Sequence, residues 1–433
     1  MRPLWTLLVE RGIDVTGSDE RFLGHNAAEV DGRSCLIYST AIGEDNVEMQ
    51  AALTAGIPAV HRAQALNAVL QGRRWTGVTG SHGKTLTAAA LAHILDEGAL
   101  DPTWYLGGQP LDRQLAHLGL GEVGVAELDE SDRSILLTAP PIAVITNIDD
   151  DHMEVYKDYA DLQATLKAWA LSLGRDAQVV LCLDDGGTLM LADELAEEPN
   201  APALITYGRS NDADVRIVDI QPTPNGRGSV VTVETTQGSR IRFDLKLIGE
   251  HQALDAIGAA TAATLYGVGL AQSAQALSTF TGAQRRLNPV GNAGGVQVLD
   301  SYAHHPTAIR ADIAAARLTL GDGGTVVLAF QASGLERVTR THAEIAHAVG
   351  LADEIVLLPL HTSVTDARAG HLVPLIATAL QDRVHDTVDT LQEAAVMLAD
   401  LADKGDVVLL MGAGDVTDLG PLLLKELDSV NAA

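Results

Sequence analysis

The sequence predicts an α/β protein of three units, and three observations carry that reading. Short β-branched runs alternate with Ala- and Leu-rich stretches over most of the 433 residues, the pattern of a parallel sheet wrapped by helices. A glycine-rich turn, TGSHGKT, stands between one such run and a helical stretch at 79–85. The segment 203–248 breaks the rhythm with period-two alternation. Length points the same way, because a chain of this size exceeds one ordinary domain.

Residues 1–11 read as a helix, with Leu4, Leu7 and Leu8 on one face and Gly12 ending it. Strands are expected at 13–17 (IDVTG), 35–39 (CLIYS) and 57–60 (IPAV). A second series starts at Trp75 and includes VGVAEL at 123–128 and IAVIT at 142–146. Within 203–248, VRIVDI, SVVTVETT and SRIRFDLKLI form an expected antiparallel insertion, with Gln237-Gly238 as its hairpin turn. Gly291 to Gly295 (GNAGG) reads as a linker before a third series, VQVL at 296–299, TVVLAF at 325–330, EIVLLP at 354–359 and VVLLM at 407–411. The expected domains are 1–72, 73–289 and 290–433.

A net charge of −28 and 3% aromatic residues argue against a nucleic-acid partner, which needs clustered Lys and Arg and stacking rings. Cys35 and Cys182 lie in apolar runs and fit a reducing compartment better than a disulfide framework. No apolar stretch approaches the ~18 residues that span a bilayer. The N-terminal apolar run is too short for a secretory signal and meets Glu10 at once. The expected location is cytoplasmic, with no membrane partner.

The turn at 79–85 is the sharpest chemical signal. It follows a strand and opens a helix with Leu91, Ile94 and Leu95 on one face. There, backbone N–H groups around Gly80, Ser81, His82 and Gly83 can hold phosphate oxygens, aided by the helix dipole. Lys84 would reach the β- and γ-phosphates and the Thr85 hydroxyl would ligate Mg²⁺. Val78 stands where the longer P-loop pattern has glycine. The bland alternative, a glycine turn and a surface lysine, is disfavoured because strand, turn and helix all fall in place. Two acidic clusters, AELDESDRS at 126–134 and TNIDDDHMEVY at 146–156, close other strands at their carboxyl ends, where open α/β sheets bind ligands. Oxygen ligands suit Mg²⁺, although in so acidic a chain Asp149-Asp150-Asp151 alone reads as a solvated loop, and Asp129 and Asp132 share that discount.

Taken in order and spacing, TGSHGKT, the E-x-D-E-S-D cluster and T-N-I-x-x-D-H resemble the Mur ligase family. LIYSTAIGEDN at 36–46, TGAQRRL at 281–287, LDSYAHHPTAI at 299–309 and GAGD at 412–415 extend the likeness over essentially the whole chain. The resemblance implies Rossmann-like first and last domains around a central P-loop ATPase-like domain. It also implies ATP and Mg²⁺ as cofactors, with UDP-N-acetylmuramate and L-alanine as substrates joined through an acyl phosphate, and leaves room for a homodimer. Carried over residue by residue, Lys84, Glu127 and His152 are catalytic, and Thr85, Glu127 and His152 hold metal. Gly80 to Thr85, Asn147, Arg285 and Asp300 bind ATP, with Asn147 bracing the loop and Arg286, beside Arg285, also placed to reach phosphates. Ser39, Thr40, Ser131, Asp132, His304 and Arg337 contact substrate, with the choice between His304 and His305 left open.

Four departures accompany the likeness. Met1 falls at the methionine of the family's G-x-G-G-x-G-M loop, so the expectation is that in-frame sequence precedes it. Ser301 replaces the second acid of D-D-Y, and Gln252 and Asp255 replace two asparagines of H-N-x-x-N. In FQASGLERV at 330–338, Ser333 and Gly334 stand where the family has His and Arg. Two alternatives therefore accompany the lead reading: a related amide ligase adding another amino acid or a peptide, and a nucleotide-binding paralogue that no longer ligates.

Overall fold

The expected N-terminal helix forms at Arg2–Glu10, where Leu4 and Leu7 are fully buried and Trp5 and Val9 face solvent. The structure, a computed structural model, describes residues 1–19, 24–362, 369–381 and 386–432. It divides into two units: Met1–Asp150 with Lys157–Arg216 and Asp255–Ala276, and Asp151–Tyr156 with Ile217–Leu254 and Leu277–Ala433. In the first, β1 (Leu36–Tyr38) and β2 (Ala59–His61) pair in parallel. The helix Val47–Ala55 between them is capped by the Asn46 side chain, and the helix Arg62–Leu70 opens on a capping box made by His61 and Gln64. The strand expected at 13–17 is not formed. Ile13 is half exposed, its N–H closes the preceding helix on Leu8 O at 3.0 Å, and no described strand lies alongside to pair with it.

The central sheet comprises β3 (Arg74–Thr79), β4 (Thr103–Tyr105), β5 (Ala116–His117), β6 (Val123–Glu127) and β7 (Ile142–Ile145). It continues with β8 (Gln178–Cys182), β9 (Ala203–Gly208), β10 (Val215–Pro222), β11 (Ser229–Thr235) and β12 (Arg240–Leu245). Their order is β12-β11-β10-β9-β8-β7-β3-β6-β4-β5. Strand β3 pairs in parallel with β6 on one side and β7 on the other, so chain order reverses across it and its carboxyl end is a switch point. Helices cover it: the Lys84–Glu97 helix is buried from Thr85 to Leu95, and Trp75 and Val78 of β3 are buried as well. The insertion is antiparallel at β11–β12, turning near Gly238, whereas β9 and β10 continue the parallel set.

The second unit holds β13 (Arg286–Ala293), β14 (Val296–Ser301), β15 (Val326–Gln331), β16 (Glu354–Leu357), β17 (Asp386–Thr387) and β18 (Val407–Gly412). Their order is β13-β14-β18-β15-β16-β17, parallel except for β13 at the edge. Period two is visible in its cores: Leu299, Leu328 and Leu409 pack on one face, Val298, Val327 and Val408 on the other. The expected linker at 291–295 is instead the end of β13 and its hairpin turn, with Gly294 and Gly295 both at positive φ. Among the described residues, no helix is long and apolar enough to cross a membrane.

Trp169 anchors the first unit, fully buried with its Nε1 donating to Thr138 O at 3.2 Å. Trp169→Ala should cost about 3–5 kcal/mol, read as an earlier urea transition, because it leaves a cavity and an unpaired carbonyl.

Candidate active site

From Thr79 the chain turns through Gly80–Gly83 into the helix Lys84–Glu97. Both glycines are required. A Cβ on Gly80 (φ +123°) would lie 2.3 Å from Thr146 Oγ1, and one on Gly83 (φ +81°) 2.1 Å from Asp255 Oδ1. Asn147, just past β7, braces the turn. Its Oδ1 accepts from His82 N at 2.8 Å, its Nδ2 donates to His82 O at 2.9 Å, and its carbonyl accepts from Ser81 N at 3.1 Å. The Ser81 hydroxyl accepts from Asp149 N at 2.9 Å, and His82 Nε2 lies 2.9 Å from Asp149 Oδ2. No side chain caps the helix, so its first-turn N–H groups and dipole face whatever anion occupies the turn.

Lys84 Nζ donates to Gly80 O at 2.6 Å and to Glu130 Oε1 at 2.8 Å. Glu130 is 1% exposed and also accepts from Thr79 Oγ1 at 3.1 Å. Burial alone would lower the Lys84 pKa, but Glu130, Asp129 and Glu127 outweigh it and hold the ammonium above its usual value. Thr85 Oγ1 donates to Glu127 Oε1 at 3.0 Å, and Glu127 Oε2 accepts from Gly107 N at 2.7 Å. A hydroxyl and a carboxylate oxygen in contact, beside a helix N-terminus, fit Mg²⁺ bound together with phosphates. A cavity of about 260 Å³ opens beside Lys84 and Glu127 and is lined also by Arg62, Tyr105 and Asp129.

Of the residues expected to contact substrate, Thr40, Ser131 and Asp132 meet in one network. Asp132 accepts from Thr40 Oγ1, from Arg62 Nη2 at 3.0 Å and from Ser134 N at 2.9 Å. Burial pushes its carboxyl up, but Ser134, Thr40 and Arg62 together bring it down to about 2. Arg62 Nη2 also donates to Asp129 Oδ2 at 3.1 Å, and Asp129 Oδ1 accepts from Ser131 N at 3.0 Å. Ser39 stays half-buried just past β1, its carbonyl accepting from Ile42 N at 2.9 Å.

The remaining expected residues belong to the second unit. His152 sits at φ +62°, with Nδ1 3.4 Å from Glu154 Oε1 and Nε2 3.6 Å from Asp151 Oδ2. Arg337 Nη2 donates to the buried Asp151 at 2.9 Å. Against the upward push of burial, His152, Arg337 and His305 hold the Asp151 carboxyl well below the usual range. His304 Nδ1 donates to Tyr302 O at 2.8 Å, and burial followed by the Arg337 charge lowers its pKa to about 3, leaving it neutral. His305 instead caps the helix Pro306–Arg317. Arg285 donates to the Gly412 carbonyl, to Gly414 O at 3.1 Å and to Asp300 Oδ1 at 3.4 Å. Its guanidinium is thus tied to the end of β18, and both Arg285 and Arg286 lie over the Tyr302 ring. The sequence reading did not single out Arg62, Glu130, Tyr105 or Gly107. Glu130 lies inside the quoted acidic cluster, whereas Arg62 has only its place just past a strand as a signal.

A glycine turn on a switch-point strand, with a buried lysine and a Thr–Glu oxygen pair at its mouth, defines an α/β protein built to bind nucleoside triphosphates. The chain belongs to the Mur ligase family. Residues 1–74 match the Mur ligase family catalytic domain, 78–263 the Mur ligase middle domain, and 285–414 the Mur ligase glutamate ligase domain. A UDP-N-acetylmuramate–L-alanine ligase from Streptomyces coelicolor is 38% identical over 97% of this chain and 94% of its own. The crystal structure of a UDP-N-acetylmuramate-alanine ligase from Thermotoga maritima has a TM-score of 0.76 at 24% identity, covering 98% of this chain and 91% of that one. A MurF ligase from Thermotoga maritima, solved with ADP, has a TM-score of 0.69 at 18% identity, covering 94% and 97%. The fold is therefore the three-domain Mur ligase fold.

The folded Asp132 pKa, about 2, lies below the 3.8 of a free carboxyl. Its contribution to stability is therefore complete above about pH 4 and fades as pH falls toward 2. Asp132→Asn should lower the thermal midpoint near neutral pH, and the gap to wild type should close on acidification through that window. A calorimetric difference that stays constant down to pH 3 would assign the network no charge-dependent role.

Proposed function

We propose that this chain is an ATP- and Mg²⁺-dependent ligase that joins L-alanine to the carboxylate of UDP-N-acetylmuramate, a step of peptidoglycan synthesis in the cytoplasm. The observation that carries this reading is the Thr85–Glu127 contact at 3.0 Å beside the buried Lys84, at the mouth of the glycine turn. The Streptomyces relative, similar over nearly the full length of both chains, supports the choice of substrates.

The carboxylate oxygen of the acid attacks the γ-phosphorus of ATP, ADP leaves, and an acyl phosphate results. The amine of the amino acid then attacks the acyl carbon, and phosphate leaves from the tetrahedral intermediate. Lys84, kept charged by Glu130, offsets the charge that gathers on the transferred phosphoryl group. Mg²⁺, when held by Thr85 and Glu127, adds to the same effect. The uncapped N-terminus of the Lys84–Glu97 helix supplies N–H donors for the phosphate oxygens. In the second unit, Asp151 and Arg337 offer groups complementary to an ammonium and a carboxylate, and neutral His304 stands among their electrostatic neighbours. The reading carries with it a three-domain division near residues 72 and 289.

Mixing the protein with ATP, Mg²⁺, UDP-N-acetylmuramate and L-alanine should release phosphate and form the amide. Lys84→Ala should lower that rate by at least ~10²-fold, and it should also lower the thermal midpoint, because it leaves the buried Glu130 carboxylate without its cation. Glu127→Gln should be partly restored by raised Mg²⁺ or Mn²⁺. A folded Lys84→Ala protein working at near wild-type rate would sink the assignment.

A further inference from the structure

Glu127 ends β6 on a long, flexible side chain, yet a carboxylate serves a metal well only when its orientation is fixed from outside. Thr85 Oγ1 donates to its Oε1 at 3.0 Å, and the Gly107 N–H donates to its Oε2 at 2.7 Å. Gly107 belongs to the loop that joins β4 to β5. That loop is fixed by bonds that do not involve Glu127. Leu106 N donates to Leu115 O at 2.9 Å, Trp104 Nε1 to Gln114 O at 2.9 Å and Gln109 Nε2 to Arg113 O at 2.6 Å. Leu106, fully buried, pins the loop where it leaves β4. The Gly107 N–H is therefore aimed by the loop itself, and the carboxylate comes to it.

Space makes the same point. A Cβ on Gly107 would lie 2.6 Å from Glu127 Oε1, 2.7 Å from its Cδ and 2.9 Å from its Oε2. A Cβ on Gly108 would lie 2.8 Å from Thr85 Cγ2 and 3.4 Å from Thr85 Oγ1. Two consecutive glycines thus each face one member of the Thr85–Glu127 pair. Neither stands at positive φ, so their backbone conformation does not call for glycine. What they provide is room. A methyl group at either position fits the backbone and must instead push the carboxylate or the threonine aside.

Resting on the metal pair proposed above, we infer that Gly107 and Gly108 are positioning residues for Mg²⁺. Their bare backbone lets the Glu127 carboxylate and the Thr85 hydroxyl stand together, and the Gly107 N–H sets the direction of the carboxylate. The phosphate turn is braced separately, by Asn147, Thr146 and Asp149. A change in the loop therefore acts on the metal and leaves the phosphate donors in place.

The test is calorimetric binding to the full chain, wild type and Gly107→Ala, once with excess Mg²⁺ and once with a chelator. The probe is the ATP analogue whose β- and γ-phosphorus are bridged by an imido group. With chelator, Gly107→Ala should bind it within about threefold of wild type, while the affinity gained from Mg²⁺ should fall roughly ten- to a hundredfold, the scale for a metal ligand that loses its outer support. A wild-type gain from Mg²⁺ in Gly107→Ala would overturn the inference. Equal weakening with and without the metal would overturn it too, because that marks a disturbed phosphate turn. Wild type gaining nothing from Mg²⁺ would instead sink the assignment of Thr85 and Glu127 as the metal pair, and the inference with it. Should Gly107→Ala lose its thermal transition, Gly108→Ala gives the same comparison through Thr85. Selective loss of the Mg²⁺ gain supports the inference there as well, and a wild-type gain or equal weakening overturns it.

Discussion

A lysine ammonium packed between two carbonyl oxygens and a carboxylate that water hardly reaches is tolerable only while every partner stays in place. Removing an ion from water costs several kcal/mol, and only close, well-oriented partners offset it. Lys84 meets that condition through Gly80 O, Ser81 O and Glu130, and Glu130 through Thr79 as well. The constraint spreads outward. Glu130 must arrive from the end of β6, the turn must be tight enough for its carbonyls to face inward, and the helix must begin at once. The shape of the turn, the pairing of β3 between β6 and β7 and the absence of a side-chain cap all answer to one buried charge.

The same logic explains how an acidic chain can prepare a site for anions. Around the turn the carboxylates are spent on fixed donors before any ligand enters: Glu130 on Lys84, Glu127 on Thr85 and Gly107, Asp132 on Thr40 and Arg62. Each pairing neutralises or orients a charge that would otherwise repel phosphate. What stays exposed to a ligand is mostly backbone N–H and the dipole of one helix, whose effect is local and does not depend on net charge.

Much of this was legible in the sequence because it rests on local rules. The glycines at 80 and 83, the strand before them and the helix after them follow from short-range sterics, and Asn147 hydrogen-bonds the turn at His82. The alternating cores of β14, β15 and β18 were readable as β-branched runs for the same reason. What failed was non-local. IDVTG at 13–17 has strand composition, but a strand exists only with a neighbour, and none of the described strands supplies one. GNAGG looked like a linker because glycines serve both flexible joints and tight hairpins; pairing of β13 with β14 decides between them. Arg62 escaped notice because its partners are 67 and 70 residues away.

The departures from the family pattern show how such a network absorbs substitution. Ser301, where the resemblance leads one to expect a second aspartate, donates its hydroxyl to Asp312 on the helix Pro306–Arg317. Asp312 in turn lies 3.0 Å from His251 Nε2. A carboxylate is thus present close by, but one helix removed and already satisfied by two partners. Gln252 likewise turns its amide onto the Arg286 carbonyl at 2.9 Å, making a tie inside the second unit. Ser301 and Gln252 each make a local tie that another polar residue could supply, whereas Lys84 and Glu130 hold opposite charges out of water against one another. A buried charge network cannot lose one member without stranding the others. Polar groups with a second partner within reach can change role at little energetic cost, and that difference decides which parts of the site are free to vary.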